Sequence, residues 1–285
     1  MKSESLLRLI AIGLLFTNFA IAQQKTHLGD NAALRYWAAF SEMQDSGITP
    51  EQANELSLIL KGTAAYRDLS YKKLLEANIP ALTVMARGTA IPICDWGLDY
   101  GLGPQTPVEY ARKSLELGRL NVLYAFHLSL AGDKEGTART LIAGVRFSRD
   151  VAAGGSLFAT IVAKDLLVNH FNAIEGLVHL QALSAAQRSE LQKEIAQLGP
   201  AGLDWRMAMK YEFGALNRPE WQKAAQNIRP TYMAALNDQS MLPDLQVKIA
   251  KTPPELQQAI PSPKRVLEEK QDFIDQLQHI RQVLQ

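Results

Sequence analysis

The chain has 285 residues, 47% of them hydrophobic, 21% charged and 7% aromatic. That balance fits a folded protein with a sizeable core and excludes disordered, collagen-like and disulfide-stapled classes. Lys and Arg number 30 against 29 Asp and Glu, so no basic excess is available to neutralise phosphates, which argues against nucleic acid as a partner.

The N-terminus carries Lys2 and Arg8, then an apolar run from Leu9 to Phe16, then small residues at Ala20 and Ala22. This order is that of a signal peptide spanning 1–22, with cleavage before Gln23. The run is too short to cross a bilayer, and no cysteine follows it to take a lipid. The expected mature protein is periplasmic or secreted, with no membrane span. Losing Lys2, Arg8 and Glu4 leaves it formally neutral.

Further along the chain, helix signals recur. Thr49-Pro50-Glu51-Gln52 and Thr106-Pro107-Val108-Glu109 each place a hydroxyl at the N-cap and Pro at N1, and Ser184-Ala185-Ala186-Gln187 repeats the box without Pro. Gly132-Asp133 and Gly154-Gly155-Ser156 read as the end of one helix and the cap of the next. Apolar residues between these signals recur at helical spacing, as in Ala138, Leu141, Ile142, Val145 and Ala152. Helices are expected near 30–45, 50–61, 65–78, 106–131, 134–152, 156–182, 185–198, 203–216 and 263–284. Short connections make neighbours antiparallel hairpins. The fold class is therefore all-α, either an irregular helical domain or a tetratricopeptide-like solenoid, although the roughly 34-residue signature of that repeat is missing.

Residues 23–237 form the expected helical domain. Residues 238–262 hold Pro243, Pro253, Pro254 and Pro261 and read as a non-helical strap or linker, as does the Gly- and Pro-rich 88–105 region. The last segment, 263–285, puts Val266, Phe273, Leu277, Ile280 and Leu284 on one face. That stripe must dock on its own domain or, in the alternative, pair with a second copy.

Phosphate-loop, nucleophile-elbow, zincin and dithiol motifs are all absent, so no cofactor or metal is expected. Two groups of residues invite a functional reading. The loop from Ile93 to Pro104 gathers Cys94, Asp95, Trp96, Asp99 and Tyr100. As a recognition loop, Trp96 and Tyr100 would stack on a flat ligand while Asp95 and Asp99 accept hydrogen bonds; as a structural loop, Trp96 plugs the core and the carboxylates cap local amides. Cys94, the only cysteine, has no internal partner and is either buried, bridged to another chain, or reactive.

The second group comprises single ionisable residues on apolar helix faces: Arg149, His170 and Glu212. Were their helices to share a core, an Arg149–Glu212 pair with His170 nearby would satisfy all three, as an internal ion pair or as the lining of a polar pocket. The stripe Asp165, Asn169, Asn172, Glu175 and His179 reads as a solvated face.

The Cys94-Asp95-Trp96-Gly97 stretch, Gly103-Pro104 and the Gly132-Asp133 turn into Arg146–Arg149 resemble an uncharacterised group of exported bacterial all-helical proteins over residues 28–215. The resemblance implies a helical periplasmic or secreted protein and carries no activity or site. Two functions follow as expectations. The first is an exported binding or interaction module for a protein or small extracellular ligand. The alternative is a periplasmic enzyme with His170 as base, Glu212 orienting it, Arg149 holding an anionic group and the Asp95–Tyr100 loop gripping substrate. No motif decides whether the protein is an enzyme.

Overall fold

A computed structural model describes residues 30–44, 49–99 and 108–285. The segment expected to be a signal peptide, Tyr100 and the expected Thr106 cap lie outside the described residues. Among those described, the protein is helical throughout with no strand, and one isolated bridge pairs Asn31 with Ile93. The all-α expectation holds.

Capping side chains place the helix starts. Asn31 accepts from Ala33 N at the head of α1 (Ala32–Glu42), and Thr49 and Gln52 close a capping box on α2 (Pro50–Leu60). Helix α3 (Asp68–Gly88) extends ten residues beyond its expected end and passes through Pro80. After α4 (Glu109–Leu130), Gly132 takes φ +79° and Asp133 accepts from Gly136 N to open α5 (Lys134–Ala152). Gly155 at φ +80° and Ser156 repeat the device before α6 (Leu157–His179). A second capping box, Ser184 with Gln187, starts α7 (Ala185–Ala196), and Asp204 caps α8 (Trp205–Ala215).

The C-terminal third departs from expectation. An unforeseen helix, α9 (Pro219–Ala235), precedes the region read as a non-helical strap, which itself contains α10 (Leu242–Ala250) and α11 (Pro254–Ala259). Pro243 and Pro254 sit in first turns, where the missing N–H would have had no helical partner anyway, Pro253 is the N-cap of α11, and Pro261 lies in the short connection to the last helix. Leu245, Leu256 and Ile260 bury their side chains in the core that also holds Ala32 and Leu284, so the segment is packed rather than a free linker.

Helix α4 packs on α5 and α6, α5 on α6 and α7, α3 on α4 and α5, and α6 on α8. The last helix, α12 (Pro263–Val283), lies against α6. Its apolar stripe is buried within the chain, with Phe273 stacked on Phe171 at 6.2 Å. Lys164 of α6 pins it through Glu269 and Asp272, each at 2.6 Å. The stripe is thus consumed intramolecularly, which removes the face that pairing with a second copy would need. No described helix is long and apolar enough to cross a membrane.

Candidate functional site

The three ionisable residues do not converge. Arg149 donates to Glu194 at 3.3 Å and to Gln197 at 2.9 Å, while Arg146 holds the other oxygen of Glu194 at 2.8 Å. Its partner is therefore the buried carboxylate of α7, and no Arg149–Glu212 pair occurs among the described residues. Glu212 instead accepts from Leu157 N at 2.8 Å, placing a carboxylate at the positive end of α6. Burial pushes its pKa up and that hydrogen bond pulls it down.

His170 is sealed among α4, α5 and α6, with no exposed surface. Its Nδ1 lies 2.7 Å from Leu166 O and its Nε2 lies 3.0 Å from Asn121 Oδ1. Burial pushes its pKa down to about 4, against the pull of the Leu166 carbonyl, so the ring is neutral near pH 7. Gly144 makes the room: a Cβ there would meet His170 Nε2 at 1.9 Å.

The loop also folds inward. Trp96 is buried, stacked on Tyr110 at 4.1 Å and flanked by Tyr36 at 5.7 Å and Phe40 at 6.2 Å. Its Nε1 donates to Asp150 O at 2.8 Å. Both ring faces and the N–H are thus occupied by the protein, leaving no stacking platform for a ligand. Asp95 accepts from Gly97 N at 2.9 Å, while its own backbone clamps the Asn31 side chain. Asp99 is exposed at the end of the described loop. Burial pushes the Cys94 thiol up, which favours its protonated form, and Sγ lies 3.6 Å from the Asp150 carbonyl. Tyr36 donates its hydroxyl to the Asp150 carboxylate, whose pKa burial pushes up to about 6. Asp150 is thus the anchor on which α1 and the loop both rest.

Among the cavities of the described residues, two lie between the central helices. One of about 340 Å³ lies between α2, α4, α6 and α12 and takes Asp165 and Asn169 from the stripe read as solvated, together with Lys61 and Arg119. Within that stripe Asn172 donates to Leu60 O and Glu175 pairs with His279, so it faces other helices rather than water alone.

The larger cavity, about 540 Å³, lies between α3, α4 and α5. Arg87 and Arg139 stand on opposing helices, Tyr124 and Thr140 contribute hydroxyls, and Ala143 forms part of the wall. Asn121, only 2% exposed, is at the floor with His170 behind it. Asp133, the acid on this lining, already serves the α5 cap. Arg87 has no acidic partner among the described residues, and Arg139 has only the exposed Glu135 one turn away. Asn121 carried a readable signal, since Leu117, Asn121 and Ala125 share a face by fours; Arg87 and Arg139 carried none, being ordinary helix-surface charges.

No family model, curated protein or solved structure matches the chain. The site therefore has to be argued from its own chemistry.

Proposed function

We propose that the protein is an exported helical binding module whose ligand site is the α3–α4–α5 cavity. The observation that carries this is a 540 Å³ space, of the size small ligands occupy, walled by three packed helices and floored by a buried hydrogen-bonded amide. The acid–base reading is not carried further, because Arg149, His170 and Glu212 each answer a separate structural need. To test it, the purified protein is incubated with a small-molecule extract of bacterial cells, desalted, and the retained compounds are identified by mass spectrometry. Wild type retains a compound that Ala143→Phe, which places a ring in the cavity, does not. Equal retention by a folded Ala143→Phe variant, or none by wild type, overturns the proposal.

Export is tested separately. Protein recovered from the periplasmic or culture fraction of cells expressing the full chain is expected to begin at Gln23 by N-terminal sequencing. A product retaining residues 1–22 would remove the export half of the reading.

A further inference from the structure

The cavity's lining also specifies a ligand, on the reading that it is the binding site. A helical protein of nearly balanced charge places two guanidiniums, Arg87 from α3 and Arg139 from α5, on opposing helices of one concave space. The surrounding side chains add hydroxyls and an amide, and the one carboxylate is spent on a cap. Guanidinium offers paired N–H donors matched to carboxylate and phosphate oxygens, and both side chains are exposed at the mouth of the space, open to an arriving anion.

The floor adds a polarity. Leu166 O can only accept, so the neutral His170 ring carries its proton on Nδ1, and Nε2 must accept. The structure sets Asn121 Oδ1 3.0 Å from Nε2; because Nε2 accepts, the amide is assigned the opposite way round, its N–H₂ donating to the ring and its oxygen on the other side as an acceptor for the cavity.

We infer that the α3–α4–α5 cavity binds a small organic anion, its carboxylate or phosphate held between Arg87 and Arg139 and a hydroxyl or N–H of the same molecule donated to Asn121. His170 is a positioning residue that fixes which way the amide faces. The arrangement needs no covalent step and no metal.

The test is isothermal titration of the purified exported protein with three probes at constant ionic strength: inorganic phosphate, succinate and uncharged glucose. Phosphate or succinate is expected to bind saturably and glucose not to bind. Arg87→Gln and Arg139→Gln should each weaken the anion by about tenfold or more. Arg112→Gln, which removes an exposed cation of α4 outside the cavity, should leave affinity unchanged. Phosphate bound without succinate assigns the oxyanion as phosphoryl, and the reverse as carboxylate. The inference is overturned if neither anion binds, or if binding ignores both arginines. Glucose binding that Ala143→Phe abolishes would sink the anion while leaving the cavity as a site, whereas failure of the extract experiment with Ala143→Phe sinks the cavity itself.

Discussion

Replacing Trp96 by Ala is expected to cost about 3–5 kcal/mol of stability, the range for emptying a large aromatic site in a packed core. The indole is 6% exposed, sits against Tyr110, Tyr36 and Phe40, and donates to Asp150 O, so truncation removes ring contacts from α1 and α4 at once together with one of the hydrogen bonds to that carbonyl, which keeps the Ala153 N–H. Trp96→Phe separates the two parts. It restores an aromatic ring against Tyr110 while losing the N–H donor and the larger surface, and should cost about 1–2 kcal/mol. Urea titration followed by circular dichroism reads both. The same variants decide the role of the loop: a ligand platform would lose affinity with little loss of stability, whereas a core plug loses stability while anion binding in the α3–α4–α5 cavity persists in the folded fraction. A Trp96→Ala midpoint equal to that of wild type would defeat the core-plug assignment.

What the sequence made legible was whatever is decided within a few residues. Thr49 with Gln52, Ser184 with Gln187, and the Gly132-Asp133 turn all act through hydrogen bonds to amides at most three positions away, and each lies where its spacing placed it. Proline misled because its meaning depends on position. Pro243, Pro254 and Pro263 open helices, Pro80 and Pro230 are accommodated inside them, and a reading of proline as a breaker lost α10 and α11. The site was less legible for a different reason. Helical projection puts Arg149 on a buried-side face, yet whether that face meets Glu212 of α8 or Glu194 of α7 is fixed by how helices far apart in sequence stack. His170 was found as an anomaly because an imidazole on an apolar face needs partners, and the structure supplies Leu166 and Asn121. Arg87 and Arg139 broke no pattern on their own helices; only packing turns two ordinary surface cations into opposing walls of one cavity.

Two buried groups should tilt stability with pH in opposite directions, and removing either one exposes the other. His170 titrates near 6.5 in the unfolded chain and near 4 in the fold, so between those values the unfolded chain binds more protons. The contribution of His170 is intact above pH 6.5 and falls by about 3 kcal/mol as pH drops to 4. Asp150 runs the other way. Its pKa rises from 3.8 to about 6 through burial, offset in part by the Tyr36 hydroxyl, so the folded chain binds more protons in that window. Its contribution is intact below pH 3.8 and is lost, again by about 3 kcal/mol, as pH rises through 6. Over pH 4–6.5 the two slopes nearly cancel. His170→Gln keeps an N–H donor for Leu166 O and abolishes one titration; relative to wild type at the same pH, it should gain stability between pH 7 and pH 4.5. Asp150→Asn keeps an acceptor for Tyr36 and should lose stability over the same interval. Referencing each variant to wild type cancels the shared contributions of Asp165 and Glu212, pushed up by burial, and of Asp68, held down by His127. Urea midpoints at pH 4.5, 5.5 and 7 measure the effect. A His170→Gln difference that is flat in pH would mean that the ring is not held neutral in the fold, and with it would go the reason for Asn121 to face its oxygen into the cavity.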